Sequence, residues 1–148
     1  SCFYAAHSVG GAVARPLLLA FPGDGAVAAA DPGRAWLLGD WMMVAPVLDQ
    51  GANEVEVYFP KGTWHSAWSD VREQGGAAGI PVEGPVSVSV QAPVGDVPVY
   101  LRAGAVVPMQ RPGNTTSQTA SQPMSLTVVL PMQGWQPAGG GGGGGGGC

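Results

Sequence analysis

Glu54-Val55-Glu56-Val57-Tyr58-Phe59-Pro60-Lys61-Gly62-Thr63-Trp64 opens with charged and apolar residues in strict alternation. Successive side chains of a strand point to opposite faces, so this pattern gives one wet face and one apolar face. That is the signature of an antiparallel strand lying on a core. Pro60-Lys61-Gly62 then supplies turn chemistry, and Thr63-Trp64-His65-Ser66-Ala67-Trp68 resumes the strand character. Residues 54–68 therefore read as a hairpin.

Working toward the C-terminus, Val86-Ser87-Val88-Ser89-Val90 alternates just as strictly. Residues 97–101 and 105–109 are two further strand candidates, separated by Arg102-Ala103-Gly104. Residues 125–130 form a last β-branched strand. Turn signals spaced about 8–12 residues apart point to a sandwich or small barrel rather than βαβ repeats. Toward the N-terminus the pattern differs. Trp36-Leu37-Leu38-Gly39-Asp40 leads into Trp41-Met42-Met43-Val44-Ala45-Pro46-Val47-Leu48, a continuous apolar run. Such a run suits a strand covered on both faces, as in a parallel barrel; a buried helix segment is the alternative, and the flanking Gly and Pro favour the strand. Residues 22–35 are a loop rich in Gly, Pro and Asp, and residues 1–8 read as the last turns of a helix ended by Gly10 and Gly11. The patterning changes between Leu48 and Gly51, and the domain boundary is expected there.

Composition agrees with a β-rich body. The 148 residues include 25 Gly and 14 Pro, together about a quarter of the chain and roughly twice average usage. Glycines occupy every position from 139 to 147, so residues 132–148 are expected to be a disordered polyglycine tail. Charged residues are 11% and hydrophobic ones 45%, so the body is not of the disordered, high-charge class. A net charge of −4 from six basic and ten acidic residues leaves no cationic cluster for phosphates, so nucleic acid is not an expected partner. No apolar run approaches the about 18 residues that a membrane span needs. The chain begins Ser-Cys-Phe-Tyr, with no Met and no charged leader, and is expected to be cut from something larger.

Chemical constellations are sparse. Asp40 is the acid of most interest, because it stands at the mouth of the apolar run. An acid at a strand end is nevertheless more often a hydrogen-bonding anchor than a catalyst. His7 and His65 are isolated and Cys2 and Cys148 are terminal, so no metal-ligand spacing exists. No Gly-x-Ser-x-Gly elbow is present, and the polyglycine run lacks the Lys-Ser/Thr of a phosphate loop. Neither a metal nor a cofactor is expected. Trp36 and Trp41 read as core. Trp64 and Trp68, four apart on one strand, share a face. That face is either a sugar platform or, as the commoner case, a surface packed on a neighbouring domain. Asn114-Thr115-Thr116 is an N-glycosylation triplet, meaningful in a secreted chain.

Taken in order, five blocks resemble glycoside hydrolase family 31. They are Val13-Ala14-Arg15-Pro16-Leu17; Leu37-Leu38-Gly39-Asp40 running into Val44-Ala45-Pro46-Val47-Leu48; Val57-Tyr58-Phe59-Pro60-Lys61-Gly62-Thr63-Trp64; residues 97–109; and residues 123–130. The similarity is greatest to α-glucosidases of the lysosomal acid maltase type. It implies a retaining exo-hydrolase that releases terminal α-linked glucose. It also implies the chain's place in that enzyme: residues 1–50 as the C-terminal end of the (β/α)8 barrel, residues 51–131 as the proximal C-terminal β-sandwich, and residues 132–148 as the tail. Both catalytic aspartates of the family lie upstream, so no catalytic residue is carried over and the isolated chain is expected to be inactive. The α-glucoside substrate would be met through the missing barrel, which is also the expected structural partner. A secretory, lysosomal, vacuolar or extracellular location is implied by the resemblance alone. His65-Ser66 and the run from Pro131 into polyglycine depart from the family pattern. A different class of function, a stand-alone glycan-binding module using Trp64 and Trp68, is the alternative. Residues 1–48, holding one barrel strand without its neighbours, are expected to lower solubility, and a chain starting near Gly51 to behave better.

Overall fold

The structure, a computed structural model, describes residues 2–29, 34–67 and 81–131. Trp68 and the expected disorder of residues 132–148 lie outside the described residues. In chain order the elements are α1 (Cys2–Val9), β1 (Ala14–Pro16), α2 (Leu17–Ala20), α3 (Gly25–Ala29), β2 (Trp36–Leu38), β3 (Met42–Val44), β4 (Glu54–Ser66), β5 (Val82–Gln91), β6 (Val99–Arg102), β7 (Val106–Gln110), α4 (Thr116–Ala120) and β8 (Met124–Val128). Six strands make one sheet in the order β1-β2-β3-β6-β4-β5, and β7 pairs with β8 in a second. Every pairing is antiparallel. The chain is mainly β, as its turn spacing requires.

The alternation of β4 converts directly into burial. Val55, Val57 and Phe59 are buried while Glu54 and Glu56 face solvent. Two short helices close over the buried side of the sheet. Leu17 of α2 and Val27 of α3 join Leu37, Met43, Val57, Phe59 and Trp64 in one core. Within it the Phe59 and Tyr100 rings meet edge-to-face, 4.7 Å between centroids. Asp24 fastens α3 in place: its Oδ1 accepts from the Ala26 N–H at 3.1 Å, and its Oδ2 from the Tyr58 hydroxyl at 2.8 Å. A second cluster joins the two sheets, with Leu101 of β6 against Ala105, Val107 and Val129.

Residues 54–67 do not form a hairpin. β4 continues without reversal to Ser66, and its register against β5 shifts between Phe59 and Gly62. Pro60 has no N–H to give the ladder, and Gly62 adopts a φ of +131°, so the strand bulges and bends where a turn was expected. The bend carries Trp64, His65 and Ser66 onto β6. Gly84 of β5 lies opposite the bulge. A Cβ at that position would collide with the carbonyl oxygens of Pro60 and Phe59, so the close approach of the two strands requires glycine.

Residues 41–48 also differ from expectation. Only Met42–Val44 is strand, and it is antiparallel to both β2 and β6 rather than part of a parallel barrel. Two-sided burial, inferred from the continuous apolar run, has a different cause. Met43 faces the main core while Met42 packs on the second cluster, so both faces of an antiparallel strand are covered. Gly39, at φ +63°, closes the β2–β3 turn. Through β3, residues on the two sides of Leu48–Gly51 share one sheet. Helix α1 ends at Gly10 and Gly11, both at positive φ, as the glycine pair requires. Phe3, Tyr4 and Val9 of α1 are exposed.

Candidate functional site

A concavity lies where the β2–β3 turn meets the β6–β7 turn. It has a volume of about 490 Å³ and is lined by Asp40, Trp41, Arg102, Ala103, Gly104 and Val106, with Ala105. Asp40 is its only acid. Its side chain is 84% exposed and forms an ion pair with Arg15 of β1. The same guanidinium nitrogen of Arg15 donates to the Gly39 carbonyl at 3.2 Å. Asp40 therefore clasps the β2–β3 turn to the edge strand, the anchor role weighed above. Glycoside cleavage by paired acids needs two carboxyl groups about 5–9.5 Å apart across a sugar. A single solvated carboxylate in this concavity does not provide that arrangement.

Arg102 holds the other wall. Its guanidinium carbon stands 5.5 Å from the Phe21 ring centroid and 5.8 Å from that of Trp64, and Nη2 donates to the Lys61 carbonyl at 3.4 Å. Cation–π contacts of this kind contribute about 0.5–2 kcal/mol each. They fix the β4 bulge against β6 and the Phe21 loop. Nothing local in the sequence marks Arg15, Arg102 or the Asp24–Tyr58 pair. Their partners lie far off in the chain, and only the folded sheet brings them together.

Trp64 is not a sugar platform and does not face a neighbouring domain. It is fully buried, and its Nε1 donates to the Pro60 carbonyl at 2.8 Å across the bulge. Trp36 and Trp41 are half-buried. His7 is exposed on α1 and His65 is half-buried in β4. Among the described residues no three His, Cys, Asp or Glu side chains gather at one point. Burial pushes the Tyr100 hydroxyl up to about 12. The Tyr58 hydroxyl is raised by burial and by its bond to Asp24. Neither lines the concavity. A second depression of about 400 Å³ surrounds the N-terminus of α4, lined by Gln110, Gly113, Asn114, Thr115, Thr116, Thr119 and Ala120.

Residues 10–107 match the family described as the glycosyl hydrolase family 31 C-terminal domain. The chain belongs to that family. The matched span takes in the whole six-stranded sheet, and the two antiparallel sheets are those of the family 31 C-terminal β-sandwich. Lysosomal alpha-glucosidase of Rattus norvegicus is 35% identical over 144 residues, covering 89% of this chain and 15% of that protein. Alpha-glucosidase of Aspergillus niger is 34% identical over 132 residues, covering 89% of this chain and 13% of that protein. Among solved structures, the GH31 dextranase of Flavobacterium johnsoniae superimposes with a TM-score of 0.74 at 26% identity. It covers 87% of this chain and 15% of the dextranase. The GH31 alpha-xylosidase of Xanthomonas citri gives 0.73 at 29% identity, covering 88% of this chain and 13% of the xylosidase. The chain thus spans about one-seventh of the family 31 relatives it matches.

Proposed function

We propose that this chain is the structural C-terminal part of a retaining α-glucosidase-type glycoside hydrolase, acting on terminal α-linked glucose through a (β/α)8 barrel carried by the rest of the polypeptide. The observation that carries this reading is the family 31 match over residues 10–107 on a sheet with its own core. Glucose is proposed over xylose because the rat α-glucosidase is 35% identical to the chain and the α-xylosidase of Arabidopsis thaliana 31%. Entry into the secretory pathway, in keeping with the lysosomal names of the mammalian relatives, belongs to the same proposal. Burial of Trp64 removes support from a stand-alone glycan-binding module.

A division of the chain follows, and it differs from the one expected at residue 50. We place the end of the barrel within residues 1–9 and the β-domain at residues 10–131. Support comes from the pairing of β3 with β6 and from the start of the family match at residue 10. A chain starting at Gly51 would lose three of the six strands, with Leu37, Met43 and Ala45 of the core, and should aggregate.

The experiment has two arms. Purified chain is assayed on maltose and on an aryl α-glucoside, with no turnover expected. Residues 10–131 are also grafted in place of the matching segment of the rat enzyme, and maltose hydrolysis should persist where outright deletion abolishes it. Turnover by the chain alone that vanishes in Asp40→Asn overturns the structural role.

A further inference from the structure

We propose that Asn114 is an acceptor for an N-linked glycan. The chain has two asparagines, and Asn53 is followed by Glu54-Val55, whereas Asn114 is followed by Thr115 and Thr116. The triplet needs a hydroxyl two residues after the asparagine, a middle residue other than proline, and a place on the surface. All three conditions hold at Asn114.

The local structure explains why this side chain stands ready. Thr115 is extended, at φ −136° and ψ 159°, and caps α4 by accepting from the Gln118 N–H at 3.2 Å. Gln118 answers with its side-chain oxygen, which accepts from the Asn114 N–H at 3.0 Å. The Thr119 hydroxyl accepts from the Gly113 N–H at 2.9 Å. This reciprocal capping holds the backbone of the loop through Thr115, Gln118 and Thr119. It engages neither the Asn114 carboxamide nor the Thr116 hydroxyl, which take no hydrogen bond among the described residues. Residues 114–116 are all exposed, and the 400 Å³ depression beside them leaves room for the first sugar. A glycan here would project from a fixed loop without displacing a core residue.

In the transfer, the Asn114 carboxamide nitrogen bonds to the anomeric carbon of an oligosaccharide carried on a polyprenyl diphosphate. The carbon–oxygen bond to the diphosphate breaks, the lipid diphosphate leaves with the electron pair, and the amide proton passes to a base of the transferase. The inference rests on the secretory-pathway part of the proposed function. It is separable from the enzymatic part, because a chain that supports no glucosidase would still be modified.

The test is cell-free translation of the full chain behind a cleavable leader, with microsomes, followed by protease protection. Protected chain should migrate one step slower, and peptide N-glycosidase should remove the step. Asn114→Gln and Thr116→Ala should abolish it, and Thr116→Ser should keep it. Protected but unmodified chain overturns the proposal, as does a modified Asn114→Gln variant. A second measurement compares the thermal midpoints of glycosylated chain and Asn114→Gln. Equal midpoints are expected, and a lower midpoint for the glycosylated chain overturns the placement of Asn114 outside the packing.

Discussion

The two sheets of this domain handle their apolar residues in opposite ways. In β4 of the six-stranded sheet the inward positions are Val55, Val57 and Phe59, and the outward ones begin with Glu54 and Glu56. Phe59 and Trp64 are 0% exposed, in a core that Leu17 of α2 and Val27 of α3 help to close within the same chain. In the β7–β8 sheet the buried inward residues, Val107 and Val129 just past β8, are also apolar, although Ser125 and Thr127 share their face. Its outward face is apolar too. Val106 stands opposite Val128, and Pro108 opposite Leu126. Met124 and Leu126 are 66% and 64% exposed. Alternation reports only that two faces differ in surroundings, whereas the identity of the outward residues tells whether water was meant to meet them. The larger sheet supplies its own cover. The smaller one is a two-stranded unit, marginal by itself and held on the core through Val107 and the adjoining Val129.

The largest effect should come from the larger sheet. Trp64→Ala removes a fully buried indole and the Nε1 bond to the Pro60 carbonyl, at a cost of about 3–5 kcal/mol. The loss should appear as a fall in the urea midpoint for the whole domain. A shift under about 1 kcal/mol would break the claim that this sheet carries the core.

An intermediate effect is expected at alkaline pH, and it too belongs to the larger sheet. Unfolded chain loses the Tyr100 proton near the ordinary value of 10.0, whereas burial holds it in the folded chain up to about 12. Between those values the folded state binds more protons, so stability falls as pH rises. Stability from this group is fully present below pH 10.0, and on the order of 2 kcal/mol should be lost by about pH 12. Tyr100→Phe should flatten that slope in urea titrations run across the window. An unchanged slope would mean that Tyr100 ionises freely and the core is looser than its packing indicates.

The smallest effect should come from the smaller sheet. Leu126→Ser alters an exposed side chain and should change the unfolding free energy by less than about 0.5 kcal/mol. It should also reduce self-association, measured by light scattering of the purified chain, because it interrupts an exposed apolar face. A loss above about 2 kcal/mol would show that the outward face is packed and would erase the contrast between the sheets.

Much of the larger sheet was legible because β4 and β5 obey the two-residue period over long stretches. Their inward valines align as Val55 with Val90 and Val57 with Val88. The β4 bulge escaped the local reading for a stated reason: Pro60-Lys61-Gly62 carries turn chemistry, and the same residues also build a bulge when a partner strand continues alongside. The direction of pairing of β3 escaped for a related reason. A short apolar run reports burial on both faces and is silent about which neighbours cause it. At the candidate site, Asp40 was noticed from its place before the run, but its partner Arg15 and the opposing Arg102 were not. No residue within a few positions of either carries a signal of the contact.

Sequence alone determined the strand-rich class, the alternating faces of β4 and β5, the glycine stop after α1, and the family to which the ordered blocks belong. Those properties are local: they depend on side-chain period, on φ preferences and on short strings of residues in a set order. Tertiary structure alone decided that residues 36–44 join the same sheet as residues 54–102, that Trp64 turns inward to the Pro60 carbonyl, and that Asp40 serves as an ion-pair anchor. Each of these depends on contacts between distant segments. Burial and pairing at such points are set by what the rest of the chain places opposite them, and no window of neighbouring residues contains that information.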